Sequence, residues 1–138
     1  MNVSRAACTA LLALATPLAF AASVFDGFWM IRKPDNSLDP GSQIEFRIER
    51  EHVTMNTPMG ASYRAKLDGS DSQMAGDANT TSVSVKMPNK HTLVETDRNA
   101  GKAWRVTTIE VEADGRTAKV SWKNLKTHQG GGYTLSKQ

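Results

Sequence analysis

From Phe25 to the C-terminus, apolar and polar residues alternate with a period of two, in short runs that end at Gly, Pro, Asn or Asp. A period of two sends successive side chains to opposite faces of a pleated strand. Ser42 to Arg50 is the cleanest run: Ile44, Phe46 and Ile48 face one way, Glu45, Arg47 and Glu49 the other. Such a pattern predicts a half-buried antiparallel strand with one face on water. His52 to Thr57 continues with Val53 and Met55 in phase, and Pro58-Met59-Gly60 turns the chain. Ala61 to Leu67 returns with Tyr63, Ala65 and Leu67 on one side, and Asp68-Gly69 ends it. Further strands are predicted over Thr81–Met87, with Val83 and Val85 in phase, and over Arg116–Lys123, with Ala118, Val120 and Trp122 inward.

Other runs leave choices open. Phe25 to Lys33 is apolar on both faces, which predicts a first strand covered on both sides at one end at least. Pro34-Asp35-Asn36-Ser37 and then Asp39-Pro40-Gly41 predict a long broken connection after it. Gln73-Met74-Ala75 reads as a short strand or as plain loop. In His91–Arg98, Thr92, Val94 and Thr96 oppose Leu93, Glu95 and Asp97 without a clear apolar side. Asn99-Ala100-Gly101 and Asp114-Gly115 are hairpin signals. Between them, Trp104 and Val106 lie in one phase and Ile109 and Val111 in the other, which predicts a bulge near Thr107 or Thr108. Gly130-Gly131-Gly132 reads as a flexible turn before a last strand, Tyr133 to Lys137.

No stretch carries helical periodicity, and there is no repeat. Sequential strands joined by short turns predict an all-β, antiparallel up-and-down meander that closes into a small barrel of eight to ten strands, since closure removes exposed edges. An even number lets the first and last strands pair antiparallel, which favours eight or ten over nine.

The N-terminus adds a compartment. Arg5, the apolar run Ala10 to Phe20 and the small residues Ala19 and Ala21 read as a secretory signal over residues 1–22, cleaved after Ala21 or Ala22. The run is shorter than the ~20 apolar residues of a membrane span. Cys8 lies at the start of that run and leaves with it, so the mature chain has neither thiol nor disulfide. Residues 23–138 then form a single domain, periplasmic or secreted. Its net charge is about +2, from 16 Lys and Arg against 14 acids, and is spread along the chain. A nucleic-acid partner calls for clustered cations, and none are clustered here.

Candidate chemistry is sparse. His52, His91 and His128 share no metal-ligand spacing, so a site would need them to converge with oxygen ligands such as Glu95 or Asp97. No serine stands in a Gly-x-Ser-x-Gly elbow, and the three glycines at 130–132 do not lead into a helix as a phosphate loop does. The reading is therefore of no catalytic residue, no metal and no cofactor.

Several ordered segments carry a family resemblance: Phe25-Asp26-Gly27-Phe28-Trp29, Tyr63 to Gly69, Thr81 to Lys86, Ala113 to Thr117, and Tyr133. Gly27-Phe28-Trp29 resembles the Gly-x-Trp signature of calycins, which include lipocalins. The whole set resembles small secreted bacterial lipocalin-like proteins of uncharacterised function. That resemblance implies that Trp29 is a structural plug at one end of the barrel. It also implies an arginine over that tryptophan from the last strand, where this chain offers only Lys137.

Methionines and aromatics on inward phases can line a pliable apolar pocket. The pattern selects Phe46, Met55, Tyr63, Val85, Trp104, Trp122 and Tyr133 as ligand-binding positions. The function expected is binding of a small hydrophobic or amphipathic ligand, such as a fatty acid or lipid fragment. A barrel filled by its own side chains, acting as a structural or protein-interaction module, is the alternative.

Overall fold

The structure, a computed structural model, describes residues 21–138. The signal segment read over residues 1–22, Cys8 included, falls outside the described residues except for Ala21 and Ala22.

Ten strands follow one another: β1 (Gly27–Arg32), β2 (Leu38–Glu49), β3 (His52–Asn56), β4 (Ser62–Lys66), β5 (Asp68–Ala75), β6 (Ser82–Asn89), β7 (Thr92–Asn99), β8 (Lys102–Val111), β9 (Thr117–Asn124) and β10 (Gly130–Lys137). Each pairs antiparallel with its sequence neighbour, and β1 pairs antiparallel with β10, so the sheet closes on itself. This is the small all-β up-and-down barrel that the alternation predicts, with the even strand number antiparallel closure requires. The outer face carries Arg47, Glu49, Arg64, Lys66, Lys86 and Lys119 in exposed positions. A membrane barrel instead shows an apolar band to lipid.

Four expectations are corrected. Asp39-Pro40-Gly41 does not break the chain but lies inside β2, where the register with β1 shifts between Trp29 and Ile31. Proline brings no N–H to the ladder, and the Ser42 hydroxyl repairs the gap, accepting from Ile31 N at 2.8 Å and donating to Asp39 O at 2.7 Å. Gly130, Gly131 and Gly132 are not a turn but the start of β10, paired with Lys123, Trp122 and Ser121. Phe28 is 45% exposed, so β1 is covered on its Trp29 side only.

The fourth correction concerns β8. Residues 105–111 keep unbroken register with both β7 and β9, so no bulge occurs at Thr107 or Thr108. The slip falls at Trp104, the extra residue between the pairs Arg98↔Ala103 and Asp97↔Arg105. Arg105, Thr107, Ile109 and Val111 therefore share the inner face, and Val106 points out. The open question at residues 73–75 resolves as strand, within β5.

One end of the barrel is packed solid. Phe25, Trp29, Val53, Ala65, Leu93, Val111, Ala118 and Leu135 are buried there in one apolar cluster. Trp29 is 1% exposed, and its Nε1 donates to Phe25 O at 2.8 Å, satisfying the one polar atom of a large buried ring. Lys137 Nζ lies 5.3 Å from the Trp29 ring centroid and donates to Val24 O at 3.0 Å. A lysine thus covers the tryptophan where the resemblance implied an arginine, and it ties the entering N-terminal segment to the last strand.

Candidate functional site

At the opposite end the interior is open. The turns β1–β2, β3–β4, β5–β6, β7–β8 and β9–β10 all lie there, because strand direction alternates around the barrel. The β3–β4, β5–β6 and β9–β10 turns frame a cavity of about 500 Å³ reaching down between the strands. Its rim includes Thr57, Ala61, Asp77, Asn124 and Gln129. Gly76 fits the rim together: it sits at φ 72°, and a Cβ there would collide with the Gly60 carbonyl of the neighbouring turn.

Below the rim the wall is built by register. Phe46, Met55, Tyr63 and Met74 are successive cross-strand partners across β2, β3, β4 and β5. Val85, Glu95, Thr107, Trp122 and Gly131 form the matching row across β6 to β10. The two rows face each other across the interior. Gly131 makes room for Trp122, since a Cβ there would lie 3.0 Å from the indole ring.

Five of the seven positions expected from the sequence line this cavity: Phe46, Met55, Trp104, Trp122 and Tyr133. Tyr63 and Val85 do not reach it and lie buried in the wall. Trp29 stands apart in the closed end. Ile44, Met74 and Ile109 add apolar lining that sequence reading did not select.

More consequential is what the sequence reading left unassigned. Leu93, Glu95 and Asp97 are the inward phase of β7, so two acids enter the barrel. Asp97 is 1% exposed and stands directly opposite Arg105 in the β7–β8 register. Arg105 Nε and Nη2 both donate to Asp97 Oδ2, at 2.7 and 2.6 Å. The Arg105 guanidinium also stacks on Trp104, 4.7 Å from the ring centroid. Glu95 lies one step further along the same face and lines the cavity. Tyr63 Oη donates to Glu95 Oε2 at 2.6 Å, from the wall behind it.

The two acids share a low-dielectric interior with one guanidinium. Burial, and then the nearby Asp97 carboxylate, push Glu95 up to about 8. Glu95 is therefore protonated at neutral pH, and its proton lies within hydrogen-bonding reach of Asp97. Asp97 Oδ1 meets no donor among the described residues. Burial, with Glu95 second, also raises the Tyr63 hydroxyl well above its usual range. Tyr133 is raised by burial.

The histidines do not converge. His52 and His91 lie at turns of the closed end and His128 on the exposed β9–β10 turn. Among the described residues no three His, Cys, Asp or Glu side chains form a metal-holding group. A larger surface groove, about 1330 Å³, runs outside the barrel along β1, β2 and the β2–β3 turn; among its lining side chains are Glu45, Arg47, Glu49 and Arg64.

A signal for the acids existed in the alternation itself. Leu93 fixes the inward phase of its strand and carries Glu95 and Asp97 with it. Arg105 was hidden because Trp104 and Val106, taken as the inward pair, put it on the outer face. Comparison of the chain with protein-family models, with curated proteins and with solved structures finds no match.

Proposed function

We propose that the protein is a lipocalin-like binding module for a small hydrophobic or amphipathic molecule, held inside the barrel and released unchanged. The observation that carries this reading is the open-ended cavity of about 500 Å³ between Phe46, Met55, Ile109, Trp104 and Trp122. Its size lies in the range of small-molecule sites, and its wall sets apolar side chains beside a set of polar groups that includes Glu95 and Arg105. The closed end supports the same reading, since a solid plug at one end leaves a single entrance. We also propose that the chain acts in the periplasm or outside the cell, as residues 1–22 suggest.

Trp104 and Trp122 report on the cavity by their fluorescence, while Trp29 lies in the closed end. Titration of the chain from Ser23 onward with medium-chain acids, alcohols and amines is expected to give a saturable change in emission. That change should be retained in Trp29→Phe and reduced when Trp104 and Trp122 are both changed to Phe. Ligand recovered after incubation should have its original mass. No saturable change with any of these amphiphiles would overturn the reading, and a chemically altered ligand would overturn the non-enzymatic part of it.

A further inference from the structure

The cavity holds more carboxyl groups than cations. Two carboxyl groups, Glu95 and Asp97, face one guanidinium, and Arg105 spends both of its short bonds on Asp97 Oδ2. The other groups that face Glu95 do not close the gap. Tyr63 from β4 donates a neutral hydroxyl; Val85 from β6 and Thr107 from β8 flank it uncharged; Tyr133 from β10 is a phenol. Asp77, on the rim, adds a further acid. Among the described residues no lysine lines the cavity.

We infer that the cavity selects amphiphiles with a protonated amine, the ammonium displacing the proton of Glu95 and taking its place beside the carboxylate, with the apolar tail against Phe46, Met55 and Ile109. This rests on the binding function proposed above and names the headgroup that site would take. The chemistry balances simply: Glu95 gives up one proton to solvent, and the ligand's N–H groups donate to the carboxylate that remains. Glu95 is placed to do this, because it is enclosed by the barrel yet keeps accessible surface where the cavity meets it. Trp122 and Tyr133 in the same wall offer π-faces that stabilise a desolvated cation. A fatty carboxylate meets the opposite situation. It would bring a third acid to one guanidinium, and bind only by carrying in a further proton. A neutral alcohol can accept the Glu95 proton but gains no ion pair.

The test uses octylamine, octanol and octanoate, matched in tail length, in calorimetric titration of the wild-type protein and of Glu95→Gln. Octylamine is expected to bind at least about tenfold more tightly than octanol at neutral pH, and octanoate most weakly. Octylamine affinity should rise about tenfold per pH unit below the Glu95 value of about 8 and level off above it, since binding there no longer has to expel a proton. Repeating the titration in buffers of different ionisation enthalpy should show about one proton released per octylamine bound at pH 7, and none for octanol. In Glu95→Gln the ratio of octylamine to octanol affinity should fall to about one. If octanol or octanoate matches octylamine, or octylamine binds without proton release, the inference is overturned while the binding function stands. If none of the three binds, the binding function itself fails. Proton release by the wild type decides the matter even if the variant does not fold.

Discussion

Glu95→Gln tests the buried acid pair without any ligand. Glutamine copies the protonated glutamate closely: its carbonyl can accept from Tyr63 Oη, and its amide can donate to Asp97 Oδ1. The wild type holds Glu95 at about 8 in the folded barrel against 4.5 for the ordinary side chain. A folded-state value raised above the unfolded one means that the folded chain binds more protons between the two. Stability is then full below about pH 4.5 and falls as pH rises, until the loss is complete near pH 8. At about 1.4 kcal/mol per unit, the loss across that window is on the order of 5 kcal/mol, a large share of a small domain's stability. Asp35, Asp68 and Asp114 are held low by hydrogen bonds, from the Ser37 and Ser70 side chains and the Arg116 N–H respectively, and act only at the acid side. The stability maximum is therefore expected near pH 5.

Urea denaturation at a series of pH values between about 5 and 9 reads this directly. The wild-type midpoint should fall steadily through the window, and the Glu95→Gln midpoint should stay nearly flat. The two should be close at pH 5, with the variant the more stable at pH 9. A variant whose profile keeps the wild-type slope would refute the assignment of the proton to Glu95. A variant several kcal/mol weaker at pH 5 would refute the claim that glutamine reproduces the protonated state.

Three further outcomes follow from the packing. Trp29→Ala should cost about 3–5 kcal/mol in thermal or chemical unfolding, whereas Trp104→Ala or Trp122→Ala should cost less, since both rings border the cavity. Tyr63→Phe removes a bond that lowers Glu95, so the fall in stability with pH should move to higher pH, with about 1 kcal/mol lost at pH 9 from the missing hydrogen bond. Gly131→Ala places a methyl 3.0 Å from the Trp122 ring; the indole must tilt, and a loss of about 1–2 kcal/mol with altered Trp122 emission is expected.

Most of the fold was legible because alternation is a local signal. Phe46, Val53, Tyr63, Val83 and Val120 each announce their strand's inner face, and all five are buried. Residues whose place depends on a distant partner were harder to read. Pro40 lies within β2 at a register shift, where the Ser42 hydroxyl accepts from Ile31 N of β1. The glycines at 130–132 lie close against β9, where a Cβ would meet the Trp122 indole at Gly131 and backbone carbonyls at Gly130 and Gly132. In both cases local propensity pointed to a turn and a cross-strand contact overrode it. Trp104 misled for a related reason. A one-residue slip reverses every side chain beyond it, and placing the slip at Thr107 instead of Trp104 turned Arg105 outward. With Arg105 outside, Glu95 and Asp97 had no reason to be inside, so the polar half of the cavity wall went unread.

That polar half is an energetic anomaly. Replacing Glu95, Asp97 and Arg105 by apolar residues of similar size would be neutral or favourable for the fold alone, because a buried ion pair seldom recovers its desolvation. Removing Asp97 or Arg105 alone would leave a charge without its partner and cost more than removing both. The arrangement therefore contributes little to folding as a set, yet constrains it strongly member by member. The apolar cluster around Trp29 and Phe25 extends through Phe46, Met55 and Ile109 to the cavity wall. The register of β7 against β8 is what keeps Glu95, Asp97 and Arg105 together on the inner face.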